Sequence, residues 1–217
     1  SSELKDARML AKKIGVRHIV IRTGEFSDPR FKNNTPQRCY YCKRELFKEI
    51  AKVAGREGFR HIADASNYDD RKDYRPGSRA AKEKGIASPL KEARLTKDDI
   101  RRSSKKLGLP TWDKPSYACL ASRIPYYDTI TRRKLKMIEE AEDILRGKFG
   151  FGQVRVRCHG DIARIEVKPQ EIGKFFKGTV ASGAAKRLKD LGFKYVTVDL
   201  RGYRTGSMNE VLKRRFL

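Results

Sequence analysis

Long hydrophobic stretches are absent from this sequence of 217 residues. No apolar run approaches the roughly 18 residues that cross a bilayer, so we expect no transmembrane span. The chain opens with SSELKDARML, which lacks a basic-then-apolar leader, so we expect no secretory signal and a cytoplasmic location. Cysteine is scarce as well. Four cysteines are too few for a disulfide scaffold, and in the cytosol a C-x-x-C pair indicates metal or redox chemistry.

Acidic residues are few relative to basic ones. Lysine and arginine number 51 against 27 aspartates and glutamates, which gives a net charge of +24. Such an excess predicts attraction to polyanions, namely nucleic acid, nucleotides or other phosphates. A solvated, charge-rich surface explains the same composition, because the basic residues are spread along the whole chain. Apolar residues make up 38% of the chain and recur with clear periods, which is typical of a globular protein.

Helical and extended patterns alternate in the first half of the chain. Thr96 and Asp99 have the spacing of a capping box at the start of a helix that Gly108 ends. This alternation predicts an α/β domain with a parallel sheet, in which ligands lie beyond the carboxyl ends of the strands. The predicted elements before the capping box are a helix over 3–14, a strand over 16–22, a helix over 39–58 and a strand over 59–66.

The second half has a different order of elements. The pattern predicts helix, strand, strand, helix and strand, which is typical of a small α+β domain with an antiparallel sheet. A proline-rich connection over 111–131 separates the halves, and we place the boundary so that the domains are 1–125 and 126–217. The predicted elements are helices over 132–147 and 178–190 and strands over 154–158, 162–168 and 194–200.

Three cysteines form the most specific chemical pattern. Cys39 and Cys42 lie three residues apart at a predicted helix start, which places both sulfurs on one face. Cys119, in the connecting segment, is the third candidate ligand. Three cysteines suit a [4Fe–4S] cluster with one iron left open. Zinc, a reducible disulfide and unremarkable thiols remain alternatives, and we interpret Cys158 as an ordinary strand residue.

Polar residues elsewhere supply candidate sites for phosphate and cations. Arg155 and Arg157 alternate along a strand, so both guanidinium groups lie on one face, and Arg123 is a third candidate for phosphate. A solvated sheet face explains the same arginine pair. Glu142 and Glu166 are candidate metal-binding carboxylates. The loop over 63–77 contains oxygen ligands that suit a divalent cation, ribose or adenine: Asp64, Asn67, Asp69, Asp70 and Asp73.

Several stretches, in order, resemble one protein family. They are RCYYCKRELF, ADASNYDDRKDYRPG, ASPLKEARLTKDDIR, LGLPTWDKPSYACLASRIPY, RVRCHGDIARIEV and RGYRTGSMNE, which run from residue 38 to residue 210. Together they closely resemble the LarE family of ATP-dependent sulfur transferases, part of the PP-loop ATP pyrophosphatase superfamily. The resemblance implies a parallel-sheet domain of the adenine nucleotide alpha hydrolase type, here truncated at its N-terminus, followed by a small α+β domain.

The resemblance also implies a reaction. Such enzymes use MgATP to adenylate a carboxylate of pyridinium-3,5-biscarboxylic acid mononucleotide, and a sulfur donor then displaces AMP to leave a thiocarboxylate. In the family this reaction helps to build the nickel-pincer nucleotide, which is the cofactor of lactate racemase. Some members sacrifice the sulfur of a single cysteine, whereas others carry three cysteines on a [4Fe–4S] cluster that delivers sulfide. The arrangement of Cys39, Cys42 and Cys119 resembles the second type, with Cys119 as the catalytic cysteine.

The resemblance assigns roles to the other candidate residues too. Arg123, Arg155 and Arg157 match arginines that bind substrate or nucleotide phosphate. Four residues match positions near the nucleotide or Mg²⁺: Asn67, Asp70, Glu142 and Glu166. As partners we expect the nucleotide-like substrate, sulfide and a second copy of the chain, with no membrane.

One family motif has no counterpart in the chain. The pyrophosphate loop S-G-G-x-D-S is absent from the 217 residues, so we expect weak ATP binding by the chain as given. Two rival interpretations stay open. The first is a cluster-dependent tRNA thiolation enzyme of the same superfamily, and the second is a non-catalytic fragment that binds a nucleotide.

Overall fold

The computed structural model describes residues 2–72, 75–114, 118–204 and 206–213. It divides into two compact units, the first made of Ser1–Phe31 with Pro36–Ser116 and the second of Lys32–Thr35 with Tyr117–Leu217. The predicted boundary after residue 125 lies further along the chain than this division. Residues 118–125 group with the second unit because the buried Arg123 binds Glu142 of that unit.

Helices build the first unit. Phe47 is its central buried side chain, packed with Ala80, Ala81 and Ile86. The capping box is confirmed, since the Thr96 side chain accepts from the Asp99 N–H and Asp99 accepts from the Thr96 N–H. The helices up to the second unit are α1 (Ser2–Ile14), α2 (Pro29–Lys32), α3 (Arg38–Arg56), α4 (Gly77–Glu83), α5 (Pro89–Glu92) and α6 (Lys97–Lys106), with 3-10 turns at Glu25–Ser27 and Tyr68–Lys72.

The described residues of this unit form no parallel strand ladder beyond a single bridge. The segment 16–22 joins no strand ladder, and its Val16 and Val20 stay 55% and 52% exposed. The segment 59–66 keeps one parallel bridge, between Ala63 and Ala87. Apolar alternation is not enough to form a strand. A strand also needs a neighbour along its length, and the described part of this unit provides that neighbour at a single residue.

The second unit is a small α+β structure, with the predicted order of elements. Its longest helix, α7, ends at Gly150, whose φ of 66° is the left-handed value that favours glycine after a helix. Among the described residues no helix is long and apolar enough to cross a membrane. The elements are α7 (Arg132–Phe149), β1 (Val154–His159), β2 (Ile162–Val167), α8 (Val180–Asp190), β3 (Tyr195–Val198) and α9 (Glu210–Lys213), with 3-10 turns at Leu120–Arg123, Pro169–Phe176 and Ser207–Asn209.

The sheet has the order β1-β2-β3. β1 and β2 form an antiparallel hairpin in which His159 faces Ile162. β3, however, pairs with β2 in parallel, so the prediction of a wholly antiparallel sheet is wrong. The reason is the connection: α8 carries the chain back along the sheet before β3 begins, and such a crossover joins parallel strands.

Residues of β1 alternate between two buried faces. Val154, Val156 and Cys158 are at most 1% exposed, as expected for the apolar core. Arg155 and Arg157 belong to the opposite face, yet they are only 3% and 5% exposed. The predicted alternation is confirmed, and the alternative of a solvated sheet face is wrong. This buried polar face is the starting point for the site.

Helix capping in the second unit gives a stability test. The Thr131 side chain accepts a hydrogen bond from the Lys134 N–H at 3.1 Å at the start of α7. Thr131→Ala should therefore lower the free energy of unfolding by about 1 kcal/mol. Thr179 precedes α8 without a capping hydrogen bond, so Thr179→Ala should change it by less than about 0.5 kcal/mol. Urea unfolding followed by circular dichroism compares the two, and equal losses would contradict the assigned cap.

Candidate active site

The two neighbouring cysteines begin α3. Cys39 is exposed and Cys42 is half-buried, and neither forms a disulfide. Their spacing on the helix places both on one face, as predicted. A Cβ atom at Gly77 would lie 3.3 Å from the Cys39 carbonyl oxygen and 2.9 Å from a side-chain carbon of Lys43. Glycine at the start of α4 thus permits the close approach that packs α4 against the cysteine end of α3.

Cations and aromatic rings surround this helix start. The Arg79 guanidinium lies 4.0 Å from the centre of the Tyr40 ring, whose hydroxyl donates to Glu83. Arg30 lies 4.6 Å from the centre of the Tyr41 ring. Positive charge and the helix N-terminus both favour anionic ligands, including a thiolate. The environment therefore suits metal-binding thiolates.

The acidic loop of the first unit is organised by its own hydrogen bonds. The Asp70 carboxylate accepts from the Asn67 N–H at 3.0 Å and pairs with Arg75 at 2.8 Å. The Asn67 side-chain oxygen accepts from the Asp69 N–H at 3.1 Å. Asn67 and Asp70, which were predicted to bind the nucleotide or Mg²⁺, thus shape the loop in this structure. Asp73 lies outside the described residues.

Asp64 sits at the base of that loop. Burial raises the pKa of Asp64, but hydrogen bonds from Ser66 and Ser88 and the charge of Lys43 outweigh it, so the pKa is lowered overall. The carboxylate thus stays ionised. Sequence reasoning included Asp64 but not Ser88, which donates to it at 2.8 Å from 24 residues away.

A cleft of about 570 Å³ opens beside Asp64 in the first unit. Its wall carries three serine hydroxyls, and its cations come from the acidic loop, α4 and the start of α5. Hydroxyl and cationic donors on one cleft suit a phosphate-bearing ligand. No sequence motif marked it, because its residues are separated along the chain. The polar lining residues are Asp64, Ser66, Arg71, Ser78, Arg79, Lys82, Ser88, Lys91 and Glu92.

In the second unit, Cys119 and Arg123 bracket a 3-10 turn. Cys119 is exposed, whereas Arg123 is 1% exposed. The Arg123 guanidinium donates to both oxygens of Glu142, at 2.8 and 3.2 Å. Glu142 also accepts from the Val156 N–H at 3.1 Å and from Arg146 at 3.3 Å. The oxygens predicted to hold Mg²⁺ are therefore engaged by protein donors in this structure.

A second buried pair lies on the polar face of the sheet. Arg157 donates to Glu166 at 2.7 Å, and Glu166 is 0% exposed. Glu166 also accepts from Arg164 and from the Ser207 hydroxyl, both at 3.2 Å. Arg157 further donates to the Ser122 carbonyl oxygen at 3.0 Å. The predicted Arg157 and Glu166 are thus direct partners.

Three buried nitrogens on this face have no hydrogen-bond partner among the described residues. They belong to Arg157 (Nε), Arg164 (Nε) and His159 (Nε2). Arg155, on the same strand, lies 5.5 Å from the Tyr203 ring centre, and burial followed by repulsion from Arg123 lowers its pKa. Burial likewise lowers the pKa of His159. A buried face rich in cationic donors favours an anion.

The three candidate cysteines do not meet within one unit. Cys39 and Cys42 belong to the first unit and Cys119 to the second. Across the ranges that the structure describes, no group of three histidine, cysteine, aspartate or glutamate side chains has the arrangement of a metal site. Cys158 is buried, and burial raises its pKa, which agrees with a core role for this thiol.

Sequence reasoning missed the partners that complete the buried network. Arg146, Arg164 and Ser207 each bind one of the two buried glutamates. Arg146 follows Glu142 by four residues on α7, which is a helical ion-pair spacing and could have been noticed. Ser207 follows Glu166 by 41 residues, and no local pattern signals that contact.

Comparisons with known proteins extend over nearly the whole chain. No family model matches it. The uncharacterized protein slr1717 of Synechocystis sp. is 43% identical over 210 residues, which cover 97% of the chain and 78% of that protein. The tRNA-specific 2-thiouridylase MnmA of Desulforamulus reducens is 30% identical over 138 residues, covering 51% of the chain and 38% of that enzyme.

A third relative has a named activity. Pyridinium-3,5-bisthiocarboxylic acid mononucleotide synthase of Lactiplantibacillus plantarum is 38% identical over 210 residues, covering 97% of the chain and 75% of the synthase. Similarity over 97% of the chain includes both units. The chain therefore belongs to the family of this synthase, the LarE family.

Proposed function

We propose that the chain is an ATP-dependent sulfur transferase that converts carboxylates of pyridinium-3,5-biscarboxylic acid mononucleotide into thiocarboxylates. The observation that carries this proposal is the 38% identity to the synthase over 97% of the chain. The structure supports it with two features that suit an anionic, phosphate-bearing substrate. They are the donor-lined cleft of the first unit and the buried polar face of the second.

The proposed chemistry has two steps. A substrate carboxylate oxygen attacks the α-phosphorus of MgATP, which forms an acyl-adenylate and releases pyrophosphate. Hydrosulfide then attacks the acyl carbon and loses its proton, and AMP departs with the electron pair of the carbon–oxygen bond. Adenylation is needed because AMP is a far better leaving group than the oxide ion of a carboxylate.

We assign the phosphate groups of the substrate and of the nucleotide to different units, according to the hydrogen-bond donors and oxygen ligands that each unit carries. Arg155 and Arg157 are the proposed ligands of substrate phosphate, and the buried Nε of Arg157 is available for an acceptor from outside the described protein. Asn67 and Asp70 adjoin the cleft of the first unit, where we place the nucleotide and Mg²⁺. The oxygens of Glu142 and Glu166 already accept from arginines, so a Mg²⁺ role for them would require those pairs to open.

The three cysteines suit a [4Fe–4S] cluster in their chemistry. All three are free thiols, Cys39 and Cys119 are exposed, and Cys39 and Cys42 share a helix face beside cationic side chains. We propose that they hold the cluster. A cluster with three protein ligands would supply one iron to which sulfide can bind. The chain's own part is to present three thiolates and to keep the surrounding charge positive.

Metal analysis tests this ligand set. Chain purified without oxygen should be brown and contain about four irons with matching acid-labile sulfide. Cys119→Ala should lose the colour and most of the iron, because one thiolate ligand is gone. Ultraviolet–visible absorption and iron and sulfide assays provide the measurement.

Cys158→Ala is the matched control, because it also removes one thiol, but from the buried core. It should keep the full iron content. A colourless wild-type chain, a chain containing zinc, or equal iron loss in both variants would contradict the cluster assignment. A sacrificial cysteine or a zinc site would then be the better account.

One observation favours a second candidate, a tRNA thiolation enzyme. Half of the chain resembles the 2-thiouridylase MnmA, and the net charge is +24. If RNA is the substrate, tRNA affinity should exceed the affinity for a random RNA of equal length at physiological salt. If the positive charge attracts any RNA without regard to its sequence, both RNAs should bind equally, and both should lose about 10³-fold in affinity between 50 and 200 mM salt. Filter binding over that salt range separates the two, and we expect the second result.

A further inference from the structure

Cys119 is held through both of its peptide bonds. The Arg123 Nη1 donates to the Ala118 carbonyl oxygen at 2.6 Å and to the Cys119 carbonyl oxygen at 3.3 Å. The first carbonyl belongs to the peptide bond before Cys119 and the second to the one after it. The Ser122 N–H also donates to the Cys119 carbonyl, at 2.8 Å. Fixing both peptide planes fixes the Cα–Cβ direction, and so the direction from which the exposed thiol projects.

The guanidinium that makes these contacts is itself fixed. Its Nε and Nη2 donate to the two oxygens of Glu142, which leaves Nη1 pointing at the turn. Glu142 is held by α7 and by the Val156 N–H of β1. Two parallel hydrogen bonds to one carboxylate need the planar guanidinium group of arginine, and the single ammonium group of lysine cannot form both in this arrangement.

Arg123 has few donors left for a ligand. Besides Glu142 and the two carbonyls, its Nη1 reaches the Ser122 hydroxyl at 3.1 Å, and the side chain is 1% exposed. A substrate phosphate would have to displace these protein acceptors. The contacts of Arg123 therefore point to the cysteine turn, and a different arginine must serve the substrate.

We infer that the buried Arg123–Glu142 pair is a positioning device for the Cys119 thiol. This inference rests on the proposed function, in which Cys119 handles sulfur. The pair sets the turn over 118–123 against α7 and β1, so the thiol is presented in one direction before any ligand arrives. Arg123 and Glu142 act on the chemistry only through Cys119.

A spin label on Cys119 tests this inference. The chain carries Cys39→Ser, Cys42→Ser and Cys158→Ala, so that a methanethiosulfonate nitroxide reacts only at Cys119. Arg123→Lys should sharpen the electron paramagnetic resonance lines of this label, because the backbone beneath it is released. It should also speed hydrogen exchange of the Ser122 N–H at least about tenfold, since a hydrogen-bonded carbonyl loses its fixation.

Two controls make the result specific. Arg133→Lys is the same substitution at an exposed position of α7 and should change neither measurement. A label at Asp190→Cys, at the exposed end of α8 with Cys119 replaced by serine, should be unaffected by Arg123→Lys. A general loss of stability would instead loosen both label sites and would overturn the inference.

The competing role is tested with inorganic phosphate. If Arg123 binds phosphate, added phosphate should immobilise the Cys119 label in the wild-type background and not in Arg123→Lys. That outcome, or unchanged mobility and exchange in Arg123→Lys, overturns the inference. Should Arg123→Lys not fold, Glu142→Gln replaces it, with a smaller increase in Ser122 exchange of about threefold expected. No iron, ATP or turnover is involved, so the result stands apart from the metal analysis.

Discussion

Two buried arginine–glutamate pairs determine how the second unit is arranged. Burying four charged groups costs desolvation free energy that burying apolar side chains of similar size does not. Such pairs therefore contribute little to the free energy of unfolding by themselves. Their value here is geometric. Each glutamate accepts from several donors, and the Nη1 of each arginine donates to a backbone carbonyl of the turn over 118–123. The pairs therefore hold the turn over 118–123 in one conformation against α7 and the β1–β2 hairpin.

The arginines of this network differ in their hydrogen-bond partners. Arg123 is occupied by protein acceptors, whereas Arg157 and Arg164 each keep a buried nitrogen without an acceptor in the described structure. The family resemblance assigned phosphate to Arg123 and Arg157 alike and did not single out Arg164. The contacts therefore distinguish Arg123, whose donors are engaged by the protein, from Arg157 and Arg164, which each combine an ion pair to Glu166 with an unpartnered buried nitrogen.

Local signals in the sequence predicted local structure well. The capping box at Thr96, the helix that begins near Cys39 and the β1–β2 hairpin depend on neighbouring residues, and all are present. Features that depend on residues far apart in the sequence were not predicted. In the part of the chain that the structure describes, the strand predicted over 16–22 has no neighbouring strand, and β3 pairs in parallel because α8 precedes it. The role of Glu142 was not predicted either, since its four donor atoms belong to three residues at separate places along the chain, namely Arg123, Arg146 and Val156.

The short segment Lys32–Thr35 gives the chain an unusual path. It leaves the first unit, contributes Asn34 to the second and returns before α3 begins. Asn34 is fully buried there, and its amide donates to the Ile124 and Pro125 carbonyls. Neither unit is consequently a continuous piece of sequence. Dividing the chain at any single point between the two units would leave this insert joined to the first unit, although its Asn34 binds carbonyl oxygens of the second.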